Sequence, residues 1–166
     1  MPWWKEEPWR LIQTNLREID MQDLSAERYV ADLKDFHATV VLLNAAGISA
    51  GYDTKLPYHS KNPYLTGDSL ERIVELCHEN GIRVIARADF SKVRRNVYEM
   101  HPEWAFRTEH GDVMEQNGFV QTCLCGDYQQ KYAFEILEEL FGRIPFDGLY
   151  CNMGGFQTRD YEFRAY

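Results

Sequence analysis

With 166 residues, 45% of them hydrophobic and 27% charged, the chain is long enough for one domain with a core and too apolar to be disordered. A formal charge of -8 argues against nucleic-acid partners, because phosphates repel an acidic surface. The start "MPWWKEEPW" puts acids where a secretion signal needs a basic, then apolar run, and Ala38 to Tyr52 is too short to cross a bilayer, so no membrane partner and a cytoplasmic location are expected.

The first strand candidate is "WRLIQTNL", Trp9 to Leu16. A helix follows in "SAERYVADLKDF", with Ser25 as N-cap and Tyr29, Val30, Leu33 and Phe36 on one stripe. "TVVLLNAAG", Thr39 to Gly47, is a near-continuous aliphatic run, which suits a strand buried on both faces. The next helix, "DSLERIVELCHENG", opens with Asp68 and Glu71 at capping-box spacing. Its stripe is Leu70, Ile73, Val74 and Cys77, and Gly81 can end it in the left-handed conformation.

The third strand is "IRVIARADF", Ile82 to Phe90. A short helix through "KVRRNVYEM" stops before Pro102, with Arg94-Arg95 on a solvated face. The last helix, "DYQQKYAFEILEELFGRIP", buries Tyr132, Phe134, Ile136, Leu137, Leu140 and Phe141, and Pro145 prevents its continuation. "FDGLYCNMGG" is the fourth strand, with Asp147 as a turn residue at its start.

The order β-α-β-α-β-(α, loop)-α-β implies parallel right-handed crossovers. Long loops follow the strand C-termini and the returns to the next strand are short, the arrangement in which α/β folds place function. A doubly wound nucleotide binder should show a glycine fingerprint after strand one, where "TNLREID" stands instead. A (β/α)8 barrel needs eight strands and ~250 residues. The expected fold is therefore α/β, the first half of a TIM-type barrel, with residues 1–166 forming one partial domain that stops after strand four.

The four cysteines include Cys123 and Cys125 as a lone C-x-C, without the second pair of a structural zinc site, so free buried thiols are expected. No metal-ligand cluster and no H-E-x-x-H occurs, and neither metal nor cofactor is expected. Aromatics make up 14%, which suits either pockets for ring-shaped ligands or the core itself.

Strand tops carry Asn15, Asn44, Arg87, Asp89 and Asn152, a set that can hydrogen-bond hydroxyls. Capping of strand ends explains the amides equally well, and an ion pair explains Arg87 with Asp89. His59, Tyr58 and Trp104 could wall the mouth, while His101 fits the turn before Pro102.

In order, "RLIQTNLREID", "VVLLNAAGISAGYDTKLPYH", "GIRVIARADFSKV", "HPEWAFRTEHGD", "TCLCGDYQQKYAFEIL" and "FDGLYCNMGGFQTRDY" resemble the N-terminal part of bacterial glycoside hydrolases of the hypothetical glycosyl hydrolase six type. That family is similar in outline to α-L-fucosidase and family forty-two β-galactosidase barrels. The resemblance spans Trp9 to Tyr161 and implies a barrel acting on a glycoside within a longer protein.

Glycosidases use two carboxyl groups flanking the bond. The β-galactosidase type ends strand four in Asn-Glu, whereas here Met153 follows Asn152; the fucosidase type ends it in Asp, where Asn152 or Cys151 stands. Asp89 is the one strand-end carboxylate left as a catalytic candidate. Asn15, Asn44, His59, Arg87, Trp104 and Asn152 are candidate carbohydrate-binding residues. The isolated chain is expected to lack a complete catalytic pair and to have little or no activity. The alternative is a non-catalytic carbohydrate-binding or self-associating half barrel, whose partner is a second copy or a second half-barrel.

Overall fold

The computed structural model describes residues 2–5 and 8–153. The Gly154-Gly155 pair that closes the expected fourth strand lies outside them. Strands β1 (Leu11–Gln13), β2 (Val40–Gly47) and β3 (Arg83–Asp89) are joined by helices α1 (Ala26–Asp35) and α2 (Ser69–Glu79). An insertion follows: β4 (Lys92–Arg94), α3 (Arg95–Met100), β5 (Glu115–Gln116) and β6 (Phe119–Gln121). A π-helical turn, Tyr128–Tyr132, leads into α4 (Ala133–Arg143), and β7 (Gly148–Asn152) completes the order.

The main sheet runs β1-β2-β3-β7, parallel throughout, so the first and fourth expected strands are its edges. Val41 and Leu43 of β2 and Val84, Ala86 and Ala88 of β3 pack into the core. Their alternate neighbours Asn44, Arg87 and Asp89 line the opposite side. Helix α2 buries all four residues of its expected stripe.

Other helices depart from the pattern. Phe36 is 73% exposed because it lies at the C-cap of α1, past the last packed turn, and α1 buries Val30 and Leu33. On α4, Ile136 and Leu140 are buried, but Phe134 is 60% exposed. The stripe read there is wider than the face that meets β2. Ser25 caps α1 as expected, accepting the Arg28 N–H at 3.2 Å. Asp68 makes no side-chain cap on α2; Glu71 pairs with Arg143 of α4 instead.

Strand one is shorter than the pattern suggested. It spans only Leu11–Gln13, and Asn15 lies beyond it with φ 45°. The expected helix after Ser91 is split into β4 and α3. The following loop is a second, antiparallel sheet, β4-β6-β5. Asn117 and Gly118 join β5 to β6 with φ 54° and 78°. Two positive φ values in a two-residue loop are the signature of a tight hairpin turn, and Asn-Gly adopts them at least cost.

At the N-terminal end of the sheet, Asp147 accepts hydrogen bonds from Arg83 (2.9 Å) and the Val84 N–H (2.8 Å) and pairs with His78 (2.8 Å). It is a strand-start residue, as its position implied. Burial works to raise its pKa, but the hydrogen bonds from Val84, His78 and Arg83 outweigh it, and the carboxyl sits below its usual range. Of the cysteines, Cys77 alone is fully buried; Cys125 and Cys151 are exposed at a loop and at the edge strand, not buried as expected. Among the described residues no helix is long and apolar enough to cross a membrane.

Candidate functional site

A cleft of about 550 Å³ opens over the C-terminal ends of β1, β2 and β3. Its size falls within the usual range of small-molecule sites. Five segments build it: Leu16 to Met21 after β1, Asn44 to Ala46 at the end of β2, Ile48 to Tyr64 after it, the end of β3, and Phe119 of the inserted sheet.

The floor is polar. Asn44 and Arg87 are register partners on β2 and β3, and the Arg87 guanidinium donates to Asn44 Oδ1 at 2.7 Å. The same amide donates from Nδ2 to the Leu16 carbonyl at 2.7 Å, fixing its orientation. Asp89 and Asn152 are register partners one step higher, on β3 and β7. Asp89 accepts the Ser91 N–H (3.0 Å), the Ser91 hydroxyl (2.5 Å) and the Asn152 amide (2.7 Å). Arg87 and Asp89 share one side of β3, yet among the described residues they form no ion pair. Each charge is held by neutral partners.

A close approach of two paired strands at the level of Asp89 sets this geometry. Gly47 ends β2 with φ 103°, and a Cβ there would lie 2.1 Å from the Asp89 carbonyl oxygen. Only glycine permits the approach. The Gly47 N–H donates to His59 Nε2 at 3.2 Å. Thus His59, 3% exposed, does not line the cleft; it is a packing residue that satisfies the end of β2. Burial lowers its pKa to about 4, and its Nδ1 has no partner.

Trp104 is also withdrawn from the mouth. It is 2% exposed, stacked on His101 at 3.9 Å and packed against Tyr58, Tyr128 and Tyr132. Its ring faces are spent on the core, which corrects the expectation of a stacking wall. Tyr58 reaches the Glu135 carboxylate instead of the cleft. Asn15 is exposed and receives the Gln13 amide at 2.6 Å, outside the cleft lining. Of the expected set, then, the cleft lining holds Asn44, Arg87 and Asp89, with Asn152 behind Asp89 as its hydrogen-bond partner, and Asn15, His59 and Trp104 are set apart.

The walls hold residues that sequence reasoning passed over. Glu18 lies in a 3-10 turn, Glu18–Gln22, and its carboxylate pairs with Arg94 of β4. Arg94 is therefore not on a solvated helix face; it bridges the first and third loops and lies 5.5 Å from the Phe119 ring centre. Tyr64, 40% exposed, also lines the cleft. Glu18 and Tyr64 come from loops and Arg94 from a three-residue strand, where no periodic signal marks them. The Asn117-Gly118 dipeptide was the available clue that the third loop is folded. The long second loop is pinned by Glu139 of α4, which accepts from Tyr52 (2.9 Å), Thr54 (2.6 Å) and the Lys55 N–H (2.6 Å).

A family model described as hypothetical glycosyl hydrolase 6 matches residues 25–153. No curated protein sequence matches the chain. Among solved structures, α-L-fucosidase isoenzyme 2 from Paenibacillus thiaminolyticus is similar with TM-score 0.73 at 19% identity, over 92% of this chain and 24% of that one. A hypothetical protein from Ruminiclostridium thermocellum gives 0.66 at 17% identity, over 90% of this chain and 78% of its own. A maltogenic α-amylase from Thermotoga neapolitana gives 0.61 at 16%, over 91% and 40%. The chain thus spans about a quarter of the fucosidase and two fifths of the amylase. At these identities the likeness concerns fold: a parallel β-α unit forming part of a (β/α) barrel.

Proposed function

Because the chain belongs to the hypothetical glycosyl hydrolase 6 family, we propose that the cleft is a carbohydrate site, one that holds a sugar and does not by itself cut one. The observation that carries this reading is the floor. Asn44 with Arg87 and Asp89 with Asn152 line up donors and an acceptor on adjacent strand tips. Amide, guanidinium and carboxylate groups side by side match the donor-acceptor pattern of sugar hydroxyls.

The wiring of Asp89 supports binding over cleavage. Its carboxylate already accepts three hydrogen bonds. A glycosidase needs an acid and a base or nucleophile on opposite sides of the bond. The other strand-tip position, Asn152, carries an amide. Asp89 remains the candidate for any proton transfer.

The test has two arms. NMR titration with methyl α-L-fucoside, methyl α-D-galactoside and maltose should detect binding that Arg87→Ala removes. Incubation with aryl glycosides should give little or no turnover. Clear turnover abolished by Asp89→Ala would refute the inactive half of the proposal.

A second reading is favoured by β7. Leu149 and Tyr150 on this edge strand are 40% and 48% exposed. An unpaired edge with apolar side chains invites association. On this reading two copies meet through β7. Sedimentation should then give a dimer that Tyr150→Lys dissociates; a monomeric wild type at high concentration overturns it.

A further inference from the structure

We infer that Tyr64 is the residue against which the sugar ring lies, so that the cleft selects pyranose rings presenting a C–H face to Tyr64 and hydroxyls to Arg87 and Asp89. The inference rests on the carbohydrate reading above and assigns the wall that reading leaves open.

Three observations carry it. First, the cleft is two-sided in chemistry. Its floor is Asn44, Arg87 and Asp89, while its sides include Ile19, Ile48 and Phe119. A pyranose has the same division: polar around its edge, apolar on its C–H faces. Second, Tyr64 lines the cleft and keeps 40% of its surface open, unlike the buried rings of Tyr52, Trp104 and Tyr128. It is a cleft-lining aromatic still partly uncovered, and an uncovered ring is what a sugar's C–H face packs against.

Third, Tyr64 is held in place by a buried device. Asn62 is 4% exposed, and its side chain is used at both ends. Its Nδ2 donates to the Glu18 carbonyl at 3.1 Å, and its Oδ1 accepts the Tyr64 N–H at 2.9 Å. Its own N–H donates to the Ala50 carbonyl at 2.9 Å. Asn62 thereby ties the Tyr64 rim to the Glu18 turn, and Glu18 is tied in turn to Arg94 beside Phe119. A rim fixed across three loops loses little freedom when a ring settles on it. Asn62 is a positioning residue; Tyr64 makes the contact.

The experiment is NMR titration of the full chain with methyl α-L-fucoside, methyl α-D-galactoside and maltose, in wild type and in Tyr64→Phe, Tyr64→Leu and Arg87→Ala. Tyr64→Phe keeps the ring and should bind within about twofold of wild type. Tyr64→Leu keeps bulk but loses the aromatic face, and should weaken binding about tenfold. Tyr64 is at the surface, so both variants should fold, and unchanged amide spectra away from the cleft verify it. If Tyr64→Leu binds like wild type while Arg87→Ala does not bind, the Tyr64 inference is overturned and the carbohydrate site stands. If wild type binds none of the three sugars, both are overturned.

Discussion

The Asn152 side-chain amide at the end of β7 donates to the Asp89 carboxylate at the end of β3, across 2.7 Å. This bond joins the tips of two neighbouring strands and orients the carboxylate over the cleft. Asn152→Ala leaves one oxygen of a largely buried carboxylate without its partner. We expect a loss of about 1–3 kcal/mol in urea unfolding. Sugar affinity should fall as well, because Asp89 is no longer held by β7.

Gly47 makes a sharper prediction. Its φ of 103°, and the 2.1 Å that would separate a Cβ at this position from the Asp89 carbonyl oxygen, leave no room for alanine. Gly47→Ala should cost about 3 kcal/mol or more, from strain and backbone displacement together. A thermal melt indistinguishable from wild type would mean that the ends of β2 and β3 do not approach as closely as described.

His59 gives stability a pH dependence. Its folded pKa of about 4 lies below the ordinary 6.5, because burial disfavours the charged ring. The unfolded state therefore binds the proton more readily. His59's contribution is complete above pH 6.5 and is lost as pH falls from there towards 4. The full effect is about 3 kcal/mol. His59→Gln retains an acceptor for the Gly47 N–H, and unfolding free energies measured from pH 7 to 4 should show a shallower decline than wild type.

Asp147 separates stability from binding. It holds Arg83, His78 and the Val84 N–H at the end of the sheet away from the cleft. Asp147→Asn should cost about 2 kcal/mol of stability through weakened charge-assisted hydrogen bonds. Sugar titration of the folded variant should match wild type. A parallel loss of affinity would contradict the division of the fold into a stabilising end and a binding end.

Much of this was legible in the sequence because burial leaves a periodic trace. The aliphatic runs of β2 and β3 and the Leu70-Ile73-Val74-Cys77 stripe reported their surroundings directly. So did Asn44, Arg87, Asp89 and Asn152, since strand direction alone puts their positions at one end. Trp104 and His59 misled for one shared reason. Aromatic and imidazole rings suit a ligand and a core equally, and only packing decides between them. Tyr64 and Glu18 left no trace, and Arg94 read as part of a solvated helix face, because segments that fold across one another are fixed by single polar contacts, not by periodicity.

The small antiparallel sheet between β3 and α4 has a further implication. It enters and leaves the chain at neighbouring points, with the Thr122 N–H bonded to the Ser91 carbonyl at 2.9 Å. Such an insert is a cassette: its hairpin can lengthen, shorten or be exchanged while the parallel strands keep their register. Since it supplies Phe119 to the cleft and Arg94 to hold Glu18, the chain has a means of retuning what its cleft admits without rebuilding the frame that carries it.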